Sequence, residues 1–182
     1  MKHLCRHCSS SLTDVAIDLG HQPLSNNYLT KDDLLKEEVS YPLKVYVCKK
    51  CWLVQLPKYL EADEIFRKDY AYFSSTSTSW CAHAKDFVNN SAKKLNLNEK
   101  SFVVEIASND GYLLQYFKEL NVPILGIEPT FDTAQAAIKK FIPTLNEFFN
   151  SQLAYKIKES HLPTKLADLV IANNVLAHVP DI

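Results

Sequence analysis

The sequence predicts an α/β chain in two parts: a small cysteine-bearing module of short strands, then the start of a parallel sheet wound with helices. Three observations carry this. Four of the five cysteines form two C-x-x-C pairs, "CRHC" at 5–8 and "CKKC" at 48–51. From residue 101 onward, strand-like apolar runs alternate with helix-like ones, the rhythm of a parallel sheet with helices on its faces. The first of those strands runs into "EIASNDG" (105–111), which carries a single glycine, Gly111, at a tight turn.

The 182 residues suffice for one domain plus a small module, and 47% apolar composition allows a sizeable core. Residues 1–100 hold 14 Lys and Arg against 12 Asp and Glu, and residues 101–182 hold 6 against 9. Neither half carries the basic excess of a nucleic-acid binder. No run of 18 apolar residues predicts a membrane span. The opening "MKHLCRHCSS" lacks the apolar stretch of a secretory leader, so a cytoplasmic location is expected. In a reducing compartment the cysteines read as metal ligands or buried thiols rather than disulfides.

Residues 1–58 are expected to form the cysteine module. "YPLKVYVC" (41–48) alternates Leu43, Val45 and Val47 against Lys44, Tyr46 and Cys48, the period of a strand. Each C-x-x-C puts two thiolates on one turn, where both reach one ion. Cys5, Cys8, Cys48 and Cys51 together predict a tetrahedral all-sulfur zinc site with Zn–S near ~2.3 Å. Four sulfurs leave no open position, so this zinc would hold the fold rather than do chemistry. The 39 residues between the pairs must then fold on their own account. His3 and His7 are the alternative ligands nearby. Residues 59–98 read as a helical connector with a Ser/Thr-rich break at 74–79.

Residues 99–182 read as strand "SFVVEIA", helix "GYLLQYFKEL", strand "PILGIEP", helix "DTAQAAIKKF", a short strand near "IPTLN" and a fourth strand in "LADLVIANN". The run Leu169, Val170, Ile171 has the pattern of a strand buried on both sides.

The turn at 105–111 aligns with E/D-x-G-x-G-x-G, a loop whose backbone passes close to a nucleotide. Ala107 then replaces the first glycine and Asn109 the second, while Gly111 keeps the third. Alanine is the smallest side chain after glycine, and asparagine is the non-glycine residue that best tolerates positive φ. Glu105 precedes Ala107 by two residues, where a carboxylate can steer the loop. Glu128, 17 residues after Gly111, ends the second strand where an acid accepts hydrogen bonds from ribose hydroxyls. Together these predict an adenosine-bearing cofactor, against the alternative of an ordinary α/β domain with a polar turn. Asp110 at the following helix start would repel a phosphate and favour a cation, which selects S-adenosylmethionine over a dinucleotide.

Beyond these readings, the four-cysteine module, "HQPLSNNYL", "YPLKVYVCKKCWLVQL", "YAYFSSTSTSW", "VVEIASNDGYLL", "GIEP" and "NNVLAHVPD" resemble, in the same order, the sugar C-methyltransferases. The resemblance runs through the whole chain. It implies a zinc-binding N-terminal domain followed by part of a class I methyltransferase (Rossmann-like) domain. It implies methyl transfer from S-adenosylmethionine to C-3 of a nucleotide-linked 4-keto-deoxysugar: a base removes the C-3 proton and the enolate attacks the sulfonium methyl. It implies that Glu105, Ala107, Asn109, Gly111 and Glu128 line the cofactor site, with Phe148 and Phe149 flanking the adenine and Asn173 and Asn174 at the methionine end. Tyr72 and His178 match positions near the reacting sugar. A class I sheet has seven strands, so the resemblance also implies either a further segment or chain that completes the sheet, or self-association through its edge. The alternative reading is a non-enzymatic zinc-binding interaction module on a degenerate nucleotide-binding fold.

Overall fold

The structure is a computed structural model and describes residues 3–161 and 166–179. It divides into two compact units: one runs to Ile65 and takes in Leu176 onward, and the other is Phe66–Val175. Residues 59–98 are shared between them, since those to Ile65 fall in the first unit and the long helix in the second.

The first unit is an antiparallel sheet in the order β1 (Asp14–Gln22), β2 (Tyr41–Val47), β3 (Val54–Gln55), followed by the one-turn helix α1 (Ala62–Ile65). The alternation in "YPLKVYV" gives β2, as expected. Irregular register after Val15 and after Asp18 twists β1 against it. The fully buried apolar residues here are Cys5, Leu12 and Cys48, with Cys8, Tyr46, Cys51 and Leu53 partly buried around them. A core this small cannot by itself hold a module of such size, so the sulfur cluster is its centre.

The second unit is a parallel sheet in the order β6 (Thr144–Leu145), β5 (Ile124–Ile127), β4 (Val103–Ile106), β7 (Leu169–Ile171). Its helices are α2 (Thr78–Leu95), α3 (Leu114–Glu119), α4 (Phe131–Lys139) and α5 (Ser151–His161). Strand alternation sorts the sheet into two faces. Val103, Ile124 and Ile171 pack with Ala84, Val88 and Ala92 of α2, Phe117 of α3 and Ala137 of α4. Val104, Leu125 and Ile127 pack against Leu153 and Ile157 of α5 on the other face. Helices change face where the strand order reverses, as right-handed crossovers require.

The Ser/Thr-rich break before α2 has a structural use. Ser74–Thr76 form a 3-10 turn, and the Ser77 side chain caps α2 by accepting the Trp80 N–H at 3.3 Å. Asn96, at φ 52°, ends the helix in the left-handed conformation. The run at 169–171 departs from its expected burial. β7 is the outer neighbour of β4, and Val170 is 56% exposed, so the strand is buried on one face only. Among the described residues no helix is long and apolar enough to cross a membrane.

Candidate functional site

The metal site builds itself from two matching turns. In the first, Ser9 N–H donates to Cys5 O at 2.9 Å; in the second, Trp52 N–H donates to Cys48 O at 2.9 Å. Both closing residues take positive φ, 58° at Ser9 and 64° at Trp52. The four sulfurs lie within 4.8 Å of one another, and the Cys5–Cys51 and Cys8–Cys48 pairs stand at 3.5 Å. Zn–S bonds of about 2.3 Å in a tetrahedron set S···S near ~3.8 Å, so the set fits zinc. Neither His3 nor His7 joins this cluster.

Cys5 and Cys51 are shifted in opposite directions. Burial pushes Cys5 up, but backbone N–H donors at Cys8 and His7 and the Gln55 amide reverse this and hold it at about 6. The Leu53 N–H lowers Cys51, yet burial and the sulfurs of Cys5, Cys48 and Cys8 outweigh it and push that thiol to about 12. Such crowding opposes four thiolates side by side unless a cation is shared among them. Gln55, 3% exposed, donates to Cys5 Sγ at 3.1 Å and accepts the Arg6 N–H at 2.9 Å, so it braces the first turn from outside the ligand set.

In the second unit the loop after β4 has the backbone expected of it. Ala107, Asn109 and Gly111 have φ of 54°, 52° and 75°, so all three glycine-pattern positions are left-handed. Gly111 is also fixed by packing, because a Cβ there would lie 2.3 Å from Ile142 Cδ1. Gly126 of β5 leaves room for the loop in the same way, its absent Cβ standing 2.5 Å from Ser108 Oγ.

Two carboxyl groups lie beneath this loop. Glu105 is 1% exposed and its Oε2 has no hydrogen-bond partner. Burial, then the nearby Glu128 and Asp110, raise its carboxyl well above the usual carboxylate range. Ser108 Oγ is likewise buried without a partner. Glu128 is occupied: Oε2 accepts the Asn109 N–H at 2.8 Å, and Oε1 accepts from Thr130 N at 2.8 Å and Thr130 Oγ1 at 2.5 Å. With about four lone pairs on a carboxylate, one on Oε2 is left for a ligand hydroxyl, not two.

Asp110 does not play the part expected of it. It is 1% exposed, accepts from Ser75 N at 3.3 Å and from Ser75 Oγ, and pairs with Lys140 Nζ at 3.3 Å. Its charge is matched inside the protein, so it does not discriminate between a phosphate and a sulfonium.

The sheet has its switch point between β4 and β7, because the strands that follow β4 first run outward to β6 and then return to its other side. Ligands of open parallel sheets bind outside the carboxyl ends of the strands at such a point. A cleft of about 100 Å³ is lined there by Trp80, His83, Tyr112, Leu113, Asn173 and Asn174, together with Ala84 and Phe87. Trp80 stacks on His83 at 5.3 Å and on Tyr112 at 5.9 Å. Burial, more than the Glu105 charge, pushes the Tyr112 phenol up to about 12, so it stays a neutral hydrogen-bond donor. Asn173 and Asn174 therefore fall in the cleft, with Asn174 at φ 56°. Phe148 and Phe149 follow β6 at the same carboxyl edge of the sheet and are 38% and 42% exposed. Tyr72, 51% exposed, joins the loop through its carbonyl, which accepts Asn109 Nδ2 at 2.9 Å. His178 ends the 3-10 turn Leu176–His178, in the first unit.

Sequence reasoning missed Trp80, His83 and Tyr112. Their stacking joins α2 to the start of α3 across some thirty positions, and no local pattern signals it. It also missed Gln55 and Lys140, each of which acts on a group far away in sequence.

A sulfur-cluster module and a four-stranded parallel sheet wound with helices, with a left-handed loop after β4, thus define the architecture of this chain. Residues 5–66 match the family described as "Putative zinc binding domain". Over 178 residues, 98% of the chain, it is 30% identical to C-methyltransferase NovU of Streptomyces niveus, and it spans 41% of that protein's length. Both findings agree with the motif reading at the coarser level: a zinc-binding N-terminal module and similarity to a C-methyltransferase. Among solved structures, MccD protein is 20% identical over 49% of the chain and 30% of its own, with a TM-score of 0.27. The plantazolicin methyltransferase BpumL, in complex with SAH, is 14% identical over 59% of the chain and 47% of its own, with a TM-score of 0.34.

Proposed function

We propose that the chain serves in an S-adenosylmethionine-dependent C-methyltransferase whose acceptor is a nucleotide-linked keto-deoxysugar. The observation that carries the cofactor reading is the loop itself. Three alternate positions are left-handed over an unpartnered buried carboxyl, Glu105, at the switch point of a parallel sheet. The donor set suits a ligand with a cationic end and a ribose. Glu105 is a buried acid whose Oε2 has no partner, Glu128 has one acceptor position to offer, and Ala107, exposed and small, leaves the loop backbone open to close approach.

In this reading Glu105, Ala107, Asn109, Gly111 and Glu128 would hold the cofactor, with Phe148 and Phe149 beside the base and Asn173 and Asn174 at the amino-acid end. When bound, the cofactor supplies an electrophilic methyl group. His178 and Tyr72, which match positions near the reacting sugar, would act on the acceptor. The zinc would hold the first unit together, and the protein would work in the cytoplasm, where its thiols stay reduced. The similarity to a relative named as a C-methyltransferase supports the transfer to carbon. Equilibrium dialysis against labelled S-adenosylmethionine and labelled NAD tests the cofactor: retention of the first and not the second is expected, and the reverse would overturn it. Transfer of the labelled methyl group to a panel of nucleotide-linked 4-keto sugars tests the acceptor, and labelling of none of them would remove that part of the proposal.

A further inference from the structure

The middle glycine position of the loop is occupied by a residue that suits the backbone less well than glycine. Asn109 sits at φ 52°, where glycine would carry no steric penalty. What asparagine adds is its amide, and both ends of the amide are bonded. Oδ1 accepts the Ser74 N–H at 2.8 Å and Nδ2 donates to the Tyr72 carbonyl at 2.9 Å. The two bonds bracket Phe73 as a neighbouring strand would. The next residue continues the seam, with Asp110 accepting from Ser75 N at 3.3 Å and Lys140 Nζ bonded to Ser75 Oγ at 3.4 Å. The Asn109 main-chain N–H meanwhile donates to Glu128 Oε2, the oxygen that retains a free acceptor position. One residue therefore touches both the carboxylate that would receive a ribose hydroxyl and the segment that carries Tyr72.

We infer that Asn109 is a positioning residue, and that occupancy of the 107–111 loop is transmitted through its amide to residues 72–75. Tyr72 is thereby set in place by the cofactor. This rests on the cofactor reading above. A hydroxyl at Glu128 Oε2 engages the atom that anchors the Asn109 backbone, and the bracket passes any tightening of that backbone to Ser74 N–H and Tyr72 O. A purely structural bracket would be equally strong with and without ligand.

The test is hydrogen exchange at single amides of the 182-residue chain, free and with saturating S-adenosylhomocysteine. In the unsubstituted chain the ligand is expected to slow the Ser74 and Ser75 amides about tenfold, the scale of one net hydrogen bond. In Asn109→Gly, which keeps the loop conformation, the Ser74 amide should exchange faster without ligand and gain nothing from it. In Asn109→Asp, which keeps the acceptor for Ser74 and loses the donor to Tyr72, the ligand effect at Ser74 should return in part. Ligand binding with unchanged exchange over 72–75, or undiminished protection in Asn109→Gly, would overturn the coupling and leave the cofactor reading standing. Failure of the ligand to bind the unsubstituted chain would overturn both.

Discussion

Exchanging the residue types at two positions of one loop should move stability in opposite directions. Ala107 holds φ at 54° and is exposed, so its methyl group contributes strain and little packing. An L-residue in the left-handed region costs about 1–2 kcal/mol. Glycine removes that term and adds about 0.4–1 kcal/mol of unfolded-chain entropy. Ala107→Gly should therefore stabilise the second unit by about 0.5–1 kcal/mol. Gly111, at φ 75°, is the converse case. Gly111→Ala brings the same left-handed cost and a methyl group that must displace Ile142 Cδ1 from 2.3 Å, in a side chain only 1% exposed. Overpacking of this kind costs about 1–3 kcal/mol, so the total is about 2–5 kcal/mol. The assay is urea unfolding followed by Trp80 fluorescence, with Trp52→Phe as the common background because Trp52 lies in the other unit. Destabilisation by Ala107→Gly of 1 kcal/mol or more, or a neutral Gly111→Ala, would refute the left-handed assignment of this loop.

Other consequences are equally direct. Cys48→Ser should abolish stoichiometric zinc in the reduced protein and unfold the first unit, since structural metal binding and folding are one equilibrium; metal analysis and circular dichroism read both. Ser9→Gly, at φ 58°, should raise the thermal midpoint of that unit by relieving about 1 kcal/mol of strain, as followed by calorimetry. Glu105 carries a pH signature. Burial, then Glu128 and Asp110, raise its folded carboxyl above the unfolded value of about 4.3. The native chain then holds this proton longer than the unfolded one, so the contribution is present below that pH and is lost as pH rises through the folded value. Glu105→Gln should flatten this decline and stabilise the ligand-free protein at neutral pH, which denaturation curves between pH 4 and 8 would show.

Much of the site was legible because its logic is local. Two C-x-x-C pairs fix four sulfurs regardless of what lies between them, and the hairpin that fills the spacer adds no ligand. The loop was legible from side-chain size and left-handed tolerance, which Ala107 and Asn109 satisfy. In the sequence the charge of Asp110 reads as facing a ligand because its partner, Lys140, is thirty positions away and nothing nearby announces the pair. The helix Ser151–His161 was not read, since only Leu153 and Ile157 mark its buried face. The 169–171 run overstated burial because three apolar residues look alike whether a strand is central or lies outermost, where Val170 is exposed. Glu128 was placed correctly at the end of its strand, but its bonds to Asn109 and Thr130, which leave one acceptor free, are a property of the folded loop.

The most direct measurement of the central claim is titration calorimetry of the purified chain with S-adenosylhomocysteine, paired with the Glu128→Gln variant. The loop, the unpartnered Glu105 and the free position on Glu128 lead us to expect saturable one-to-one binding in the micromolar range, about −8 kcal/mol. The variant should weaken it by about 1.5–3 kcal/mol through loss of a charge-assisted bond. Absence of heat at millimolar ligand, in a chain that retains its zinc and its fold, would contradict the account.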